Sequence, residues 1–317
     1  MNVSFVADVG GTNIRLAQIE QGKLVHIKKY LCSDYSSIDA AIKAYFAAHP
    51  AVTFSAGCLG VACPVSSDFI SMTNNNWQFS IAKLQASLKL DWLGVINDFT
   101  AVAHAVTILT QDQKEQVGKG QAHSHDNIAV FGPGTGLGVK HLTMTNEGWL
   151  ALDGEGGHVD FAPVDELDIA IWRFLTDKYG HASAEEVMSG RGILQIYQAL
   201  AKHQGVPAVF DDPADITDRA LDGSCALSRA TLNQFCRIMG SFAGNLALNL
   251  GTRGGVYIGG GIAPRFLNFL KDSDFRARFE AKGRFRDYVA NIPTFIITEP
   301  DHGLLGAMAY LAQNYKG

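Results

Sequence analysis

Cysteine is scarce and unpaired in this 317-residue sequence: five thiols, at Cys32, Cys58, Cys63, Cys225 and Cys236, with no C-x-x-C pair. An odd, scattered set argues against a disulfide framework and reads as buried thiols in a reducing compartment. Charge is also sparse. Charged residues make up 18%, with 26 basic and 31 acidic side chains mixed along the chain and a net charge of −5. That balance provides no basic face for nucleic acid and no polybasic anchor for a membrane. A small anionic ligand remains allowed, because a phosphate site needs only local donors. The start, MNVSFVADVGG, lacks the charged head and long apolar core of a signal peptide. The longest uncharged run found, Ile238 to Thr252, is too short to span a bilayer and contains Gly, Asn and Ser. No low-complexity or Pro-rich linker divides the chain. These features point to a cytoplasmic protein with neither nucleic acid nor membrane as partner.

Apolar residues amount to 47%, enough for large cores, and the length suits two domains or one large α/β unit. Val3 to Val9 is an apolar, β-branched segment that ends in Gly10-Gly11, and a second apolar segment, Ile14 to Ile19, follows at once. The pattern predicts strand, glycine turn, strand. It recurs with Ile128 to Phe131, the turn Gly132 to Gly138, and Val139 to Met144, which suggests two related halves. Further strands are expected at Ser55 to Ala62, Trp92 to Ile96, Gly255 to Ile258 and Ile292 to Ile297. Helices are expected at Ser36 to Ala48, Ala101 to Leu109, Ile169 to Tyr179, Ile193 to His203, Leu227 to Leu250 and Leu304 to Gln313. Strands alternating with helices mean α/β architecture. The domain division must run through ordered structure, near 108–112.

Asp8-Val9-Gly10-Gly11-Thr12-Asn13 has the parts of a phosphate loop. Two glycines let backbone N–H groups approach an anion, Thr12 and Asn13 add donors, and Asp8 can hold a hydrated Mg²⁺. An ordinary hairpin turn is the alternative. Gly132-Pro133-Gly134-Thr135-Gly136-Leu137-Gly138 is neither a Walker A loop nor a G-x-G-x-x-G opening a helix. It reads as a second hairpin clamp with Thr135 as donor, and two such hairpins could hold a polyphosphate. Gly259-Gly260-Gly261 permits close approach of a ring or ribose, or simply a tight turn.

Asn97-Asp98 ends a strand and starts a helix. A carboxylate there could take a proton from a hydroxyl, although helix capping is the ordinary role for this dipeptide. Glu155 and His158, in Gly154-Glu155-Gly156-Gly157-His158, could converge on one ligand as acceptor and donor. A metal site would need further ligands, and a solvated loop is the bland reading. Glu185 and Glu186 precede a glycine turn at Gly190-Arg191-Gly192 and could be ordinary helix-face charges. Thr73-Asn74-Asn75-Asn76-Trp77 offers neutral hydrogen bonding beside an apolar face, which suits a polyhydroxylated ligand or a capped turn.

Taken in order, ADVGGTNIRLA, TNNNW, NDFTAVA, GPGTGLGV, GEGGHVDF, SAEEVMSG, NLALNLG and YIGGGIAPRF resemble the bacterial glucokinases that lack a zinc-binding cysteine cluster, over nearly the full length. The resemblance implies an actin-like (ribonuclease H-like) ATPase fold, with two domains flanking a cleft. They would comprise residues 1–109 completed by a last helix at 302–317, and residues 110–301. It implies ATP and Mg²⁺ as cofactors, glucose as substrate and a homodimer. Asn74, Asn97, Asp98, Glu155, His158 and Glu185 would bind the sugar, with Asp98 as general base at the 6-hydroxyl. Asp8, Gly10, Gly11, Thr12, Asn13, Gly134, Thr135 and Gly136 would face the ATP phosphates, with Mg²⁺ held through water at Asp8. Gly260 and Gly261 would lie by the nucleoside. Ala7 and Pro133 depart from the family's usual residues without removing a donor on which the reading relies. The rivals are a kinase for fructose, mannose or an amino sugar, a sugar-responsive repressor, and an actin-like ATPase. A repressor would need a DNA-binding extension, and an actin-like ATPase would not need the sugar set.

Overall fold

The computed structural model describes residues 2–316. Along the chain run β1 (Asn2–Val9), β2 (Asn13–Glu20), β3 (Lys23–Leu31), α1 (Ile38–Ala47), β4 (Thr53–Val61), β5 (Phe69–Ser71), β6 (Gln78–Ser80), α2 (Ile81–Leu88), β7 (Trp92–Asn97) and α3 (Asp98–Ala105). There follow β8 (Lys114–Val117), β9 (Ile128–Pro133), β10 (Leu137–Thr145), β11 (Gly148–Leu152), α4 (Glu166–Tyr179), α5 (Gly190–Gln204), α6 (Pro213–Leu221) and α7 (Ala226–Leu250). The chain closes with β12 (Val256–Ile258), α8 (Leu267–Asp272), α9 (Phe275–Glu280), α10 (Arg286–Ala290), β13 (Thr294–Ile297) and α11 (His302–Asn314). Two compact units result: residues 2–110 together with 299–316, and Gln111–Thr298.

The first unit holds a five-stranded sheet in the order β3-β2-β1-β4-β7. The first three strands form an antiparallel meander, and β4 and β7 run parallel to β1. Successive residues of β1 serve opposite faces. Phe5, Ala7 and Val9 enter a core with Ile38, Ile42 and Tyr45 of α1 and Leu84 and Leu88 of α2. Val6 enters another, with Ala101 of α3 and Leu304, Ala307 and Leu311 of α11. Burial on both faces is why β1 and β4 read as almost continuous apolar runs. Each fully buried Phe or Ile there contributes ~1.5–3 kcal/mol. α11 comes so close to α3 that a Cβ on Gly306 would lie 1.6 Å from Ala101 O. The same alternation puts Asp8 on the α11 side, where a Cβ on Gly303 would lie 3.2 Å from its Cγ.

The second unit repeats the plan. Its sheet runs β11-β10-β9-β12-β13-β8, again an antiparallel meander followed by two parallel strands, with β8 added antiparallel at the edge. Its core gathers Phe131, Val139, Ile196, Leu200, Phe235, Met239, Phe242, Phe275 and Phe279. The small residues of α7 admit α9 at close range, since a Cβ on Gly240 would lie 2.1 Å from Phe275 O.

Both strand–glycine turn–strand segments are hairpins, β1–β2 and β9–β10. Several boundaries differ from the sequence reading, two of them at site motifs. α3 begins at Asp98 rather than Ala101, because Asn97 Oδ1 accepts from Phe99 N and Thr100 N at 3.0 and 3.2 Å. Gly190 to Gly192, expected as a turn, open α5, because Ser189 Oγ accepts from Gly192 N at 3.1 Å. β3, α2 and α6 carry no motif and have no counterpart in the sequence reading.

Candidate functional site

In the first unit, β1, β4 and β7 lie side by side in register, Asp8 opposite Gly60 and Val61 opposite Asn97. Asp8 and Asp98 therefore come out at the same carboxyl edge of parallel strands, where open α/β sheets bind ligands. Asn97 Nδ2 donates to Asp98 Oδ1 at 2.9 Å and to Cys63 O at 3.2 Å. Phe99 N also donates to Asp98 Oδ1, at 2.8 Å. The Asn97 and Phe99 hydrogen bonds to the Asp98 carboxylate both fall on Oδ1. Burial pushes the Asp98 carboxyl up to about 6, the Asp8 charge adds to the rise, and the Phe99 and Asn97 donors restrain it. Burial raises Asp8 as well, against the pull of Arg15 and His302. Arg15 stands opposite Asp8 across the β1–β2 hairpin and holds Pro300 O at 3.3 Å and Asp301 Oδ1 at 3.5 Å. Arg15, His302 and Gly303 were missed in the sequence. Arg15 could have been found, since a hairpin register puts it across from Asp8.

The β1–β2 turn closes by Gly10 N donating to Asn13 O at 2.9 Å, and Thr12 at its tip is exposed. Asn75 Nδ2 donates to Gly10 O at 3.3 Å, and Asn75 Oδ1 accepts from Trp77 N at 2.9 Å. Asn75 is thus the turn's internal cap, and Trp77 is buried in the core rather than offered to a ligand. Asn74 is exposed beside the turn, where a Cβ on Gly11 would lie 2.6 Å from its own Cβ.

In the second unit, Leu137 pairs with Pro133, so Gly134, Thr135 and Gly136 form the tip of the β9–β10 hairpin. Gly134 N donates to Gly136 O at 2.8 Å, and Gly190 N, opening α5, donates to Gly134 O at 2.9 Å. Gly260 has φ 80°, a conformation suited to glycine, and a Cβ there would lie 2.5 Å from Pro133 O. The glycine triplet is thereby seated on this hairpin; Gly261 is exposed next to it.

Glu155 and His158 are exposed on one turn, closed by His158 N donating to Glu155 O at 3.0 Å. Glu185 N donates to Gly157 O at 2.9 Å, which brings Glu185 to that turn. The structure separates the two adjacent glutamates. Glu186 is held by Arg191 and by Gln195 Nε2 at 2.5 and 2.7 Å, whereas Glu185 Oε2 accepts from Leu137 N at 2.9 Å. Among the described residues no three His, Cys, Asp or Glu side chains gather as a metal-binding group.

A cavity of about 520 Å³ lies in the same unit, lined by Val139, Lys140, Phe161, Met188, Phe242 and Leu246 among others. Gly154 and Gly156 border it, but Glu155, His158 and Glu185 do not line it, so it does not define the polar site.

Each unit can thus present a glycine hairpin rich in backbone donors beside a cluster of carboxylates, amides or an imidazole. Comparison with known proteins gives the family. The family model for glucokinase matches residues 5–314. A glucokinase of Cronobacter sakazakii is 48% identical over 312 residues, 98% of this chain and 97% of that protein. A glucokinase of Yersinia pestis is 49% identical, covering 98% of this chain and 96% of its own. The crystal structure of a glucokinase from an Antarctic psychrotroph superposes with a TM-score of 0.94 at 37% identity, over 99% of this chain and 100% of that one.

Proposed function

The chain belongs to the glucokinase family, with an actin-like ATPase fold and ATP-dependent phosphorylation of glucose as its activity, and on that premise we propose which residues do the work. Asp98 is the general base. It orients the sugar's 6-hydroxyl and takes its proton as the γ-phosphoryl group arrives. A base is most effective when its pKa lies near but below the working pH, and the carboxyl at about 6 meets that condition. Because the Asn97 and Phe99 hydrogen bonds fall on Oδ1, Oδ2 is the atom assigned to the proton. This placement of Asp98 is the observation that carries the reading.

Asn74 and Asn97 are assigned to further sugar hydroxyls, and so are Glu155, His158 and Glu185. A polar set of this kind discriminates epimers, because a wrong hydroxyl leaves a desolvated partner unpaired. The backbone N–H groups of the Gly10–Gly11 turn and of Gly134–Gly136, with the Thr12, Asn13 and Thr135 side chains, are assigned to the ATP phosphates. Gly260 and Gly261 are assigned to the nucleoside side.

Mg²⁺ is part of the proposal. Asp8 fits it: this carboxylate is poorly solvated, and a magnesium ion needs only one or two protein carboxylates when phosphates and water complete its shell. When bound, the ion neutralises charge on the phosphate oxygens. The Asp8 carboxylate would accept hydrogen bonds from its water shell, and Arg15 and His302 favour its ionised form against the burial that raises its pKa.

A cytoplasmic homodimer completes the reading, supported by the family resemblance. The test is ADP release over a panel of glucose, fructose, mannose and N-acetylated amino sugars, with several phosphoryl donors. Release strictly dependent on glucose, and lost in Asp98→Asn, supports the assignment. Preference for another sugar would move the specificity, and sugar-independent hydrolysis would remove the base from the mechanism.

A further inference from the structure

Glu185 makes a contact that sugar binding does not require. Leu137 stands opposite Pro133 in the β9–β10 register, yet its N–H donates to Glu185 Oε2 at 2.9 Å across 48 residues of chain. The carboxylate also fills the place of a side chain on the hairpin tip, since a Cβ on Gly136 would lie 2.7 Å from Glu185 Oε2. The backbone around Glu185 is fixed in turn. Its N–H donates to Gly157 O at 2.9 Å, and its carbonyl accepts from Ser189 Oγ at 2.9 Å, the residue that caps α5. The next residue of that helix, Gly190, donates to Gly134 O at 2.9 Å, and Gly134 donates to Gly136 O at 2.8 Å. The ring of contacts is closed: Glu185, Leu137, Gly136, Gly134, Gly190, Ser189 and back to Glu185.

We propose that Glu185 is a positioning residue for the glycine hairpin: Oε2 holds the Leu137 N–H and thereby fixes the donor backbone of Gly134 to Gly136 in its phosphate-facing form. Oε1 is left for the sugar. One carboxylate would then set the affinity for both substrates, and a sugar hydroxyl pulling on Oε1 would be felt at the nucleotide loop. The inference rests on the hairpin being a phosphate loop, as assigned above.

Steady-state KM values for ATP and glucose, measured separately on the full chain, test it. Glu185→Ala removes the acceptor, and the ATP KM is expected to rise about tenfold or more, the scale of one lost charge-assisted hydrogen bond. Glu185→Gln keeps an oxygen for Leu137 N–H, so the ATP KM should return to within about threefold of the parent while the glucose KM stays raised. Gly136→Ala is the second probe. Its methyl group meets only the end of a flexible side chain, so the fold survives while the carboxylate is pushed off Leu137. It should reproduce the ATP effect of Glu185→Ala, and the double variant should be no worse than Glu185→Ala alone. A raised glucose KM with an unchanged ATP KM in Glu185→Ala would overturn the proposal. Failure of Glu185→Gln to restore the ATP KM, or additive losses in the double variant, would overturn it equally. Gly134→Val separates this from the underlying assignment. A Cβ there meets only Gly136 O at 3.9 Å, so an unchanged ATP KM in that variant would remove the hairpin from the phosphate site.

Discussion

Asn97 serves two masters through one side chain: its Nδ2 donates to Asp98 Oδ1 at 2.9 Å, while its Oδ1 caps α3 by accepting from Phe99 N and Thr100 N. The capping and functional readings of this dipeptide are therefore not rivals. Asn97→Ala should lose the cap, costing about 1 kcal/mol of stability. It should also remove a donor that restrains the Asp98 pKa, so the midpoint of the pH–rate profile should move to higher pH. A profile that stays in place would show that Asn97 does not tune the carboxylate.

Asp98→Asn should lower kcat by about 10²–10⁴-fold, the usual scale for a general base. The same variant should be more stable than the parent at pH 7, by about 1–3 kcal/mol after allowing for partial exposure, because it removes a desolvated charge. Stability gained where activity is lost is the signature of a functional residue. Denaturant titrations of the two proteins, with kcat measured in parallel, check both halves.

The pH dependence follows with opposite signs for rate and stability. A base must be deprotonated, so kcat/KM should rise with pH and level off above about 6. The folded carboxyl sits above its unfolded value of 3.8, so the folded state binds the proton more tightly. This group's contribution to stability is then full below pH 4 and is lost as pH rises to about 6. The stability difference between parent and Asp98→Asn should accordingly vanish near pH 4, and a constant gap from pH 4 to 7 would contradict the desolvation argument.

Asp168 is fully buried in the second unit, with Arg278 Nη2 at 2.5 Å and Gln234 Nε2 at 2.5 Å. Arg278 Nη1 reaches Asp165 Oδ2 at 2.6 Å as well. Arg278→Ala should cost about 3–5 kcal/mol, because it leaves a buried carboxylate without its cation. Urea unfolding of the variant measures this, and a loss below about 1 kcal/mol would mean that water enters and replaces the guanidinium.

The five thiols should differ sharply in reactivity. Burial raises Cys58 and pushes Cys236 up to about 12. Cys225 also feels burial, but the Ser228 donors, the Leu227 N–H and the Arg219 charge outweigh it and lower its pKa. Under native conditions iodoacetamide should label Cys225 first, read by mass spectrometry, and Cys225→Ser should abolish the fast phase. Labelling of Cys58 or Cys236 at a comparable rate would contradict the buried cores.

The two hairpins were legible because each motif is local: an apolar β-branched run, glycines, then another such run. The proposed site residues were picked out largely as motifs. Glu185 and Glu186 show where local information runs out. Nothing in Ala184-Glu185-Glu186-Val187 says which carboxylate faces the hairpin, because that depends on the Gly157 and Leu137 backbones, 28 and 48 residues away. Arg15 was overlooked although its register opposite Asp8 follows from the turn length. The resemblance returned the last helix to the first domain, but it did not place His302 and Gly303 beside Asp8, because that contact depends on how α11 packs there.

What the chain's own order of residues settles is chemistry that needs only neighbours: glycine turns, helix caps, apolar periodicity, and a carboxylate set between a strand and a helix. Tertiary structure alone decides the rest, because desolvation and long-range hydrogen bonds are properties of what surrounds a group. Asp98 is an ordinary aspartate by sequence, and burial pushes its carboxyl up to about 6. Glu185 is one of two equivalent carboxylates until Leu137 turns its N–H toward only one of them.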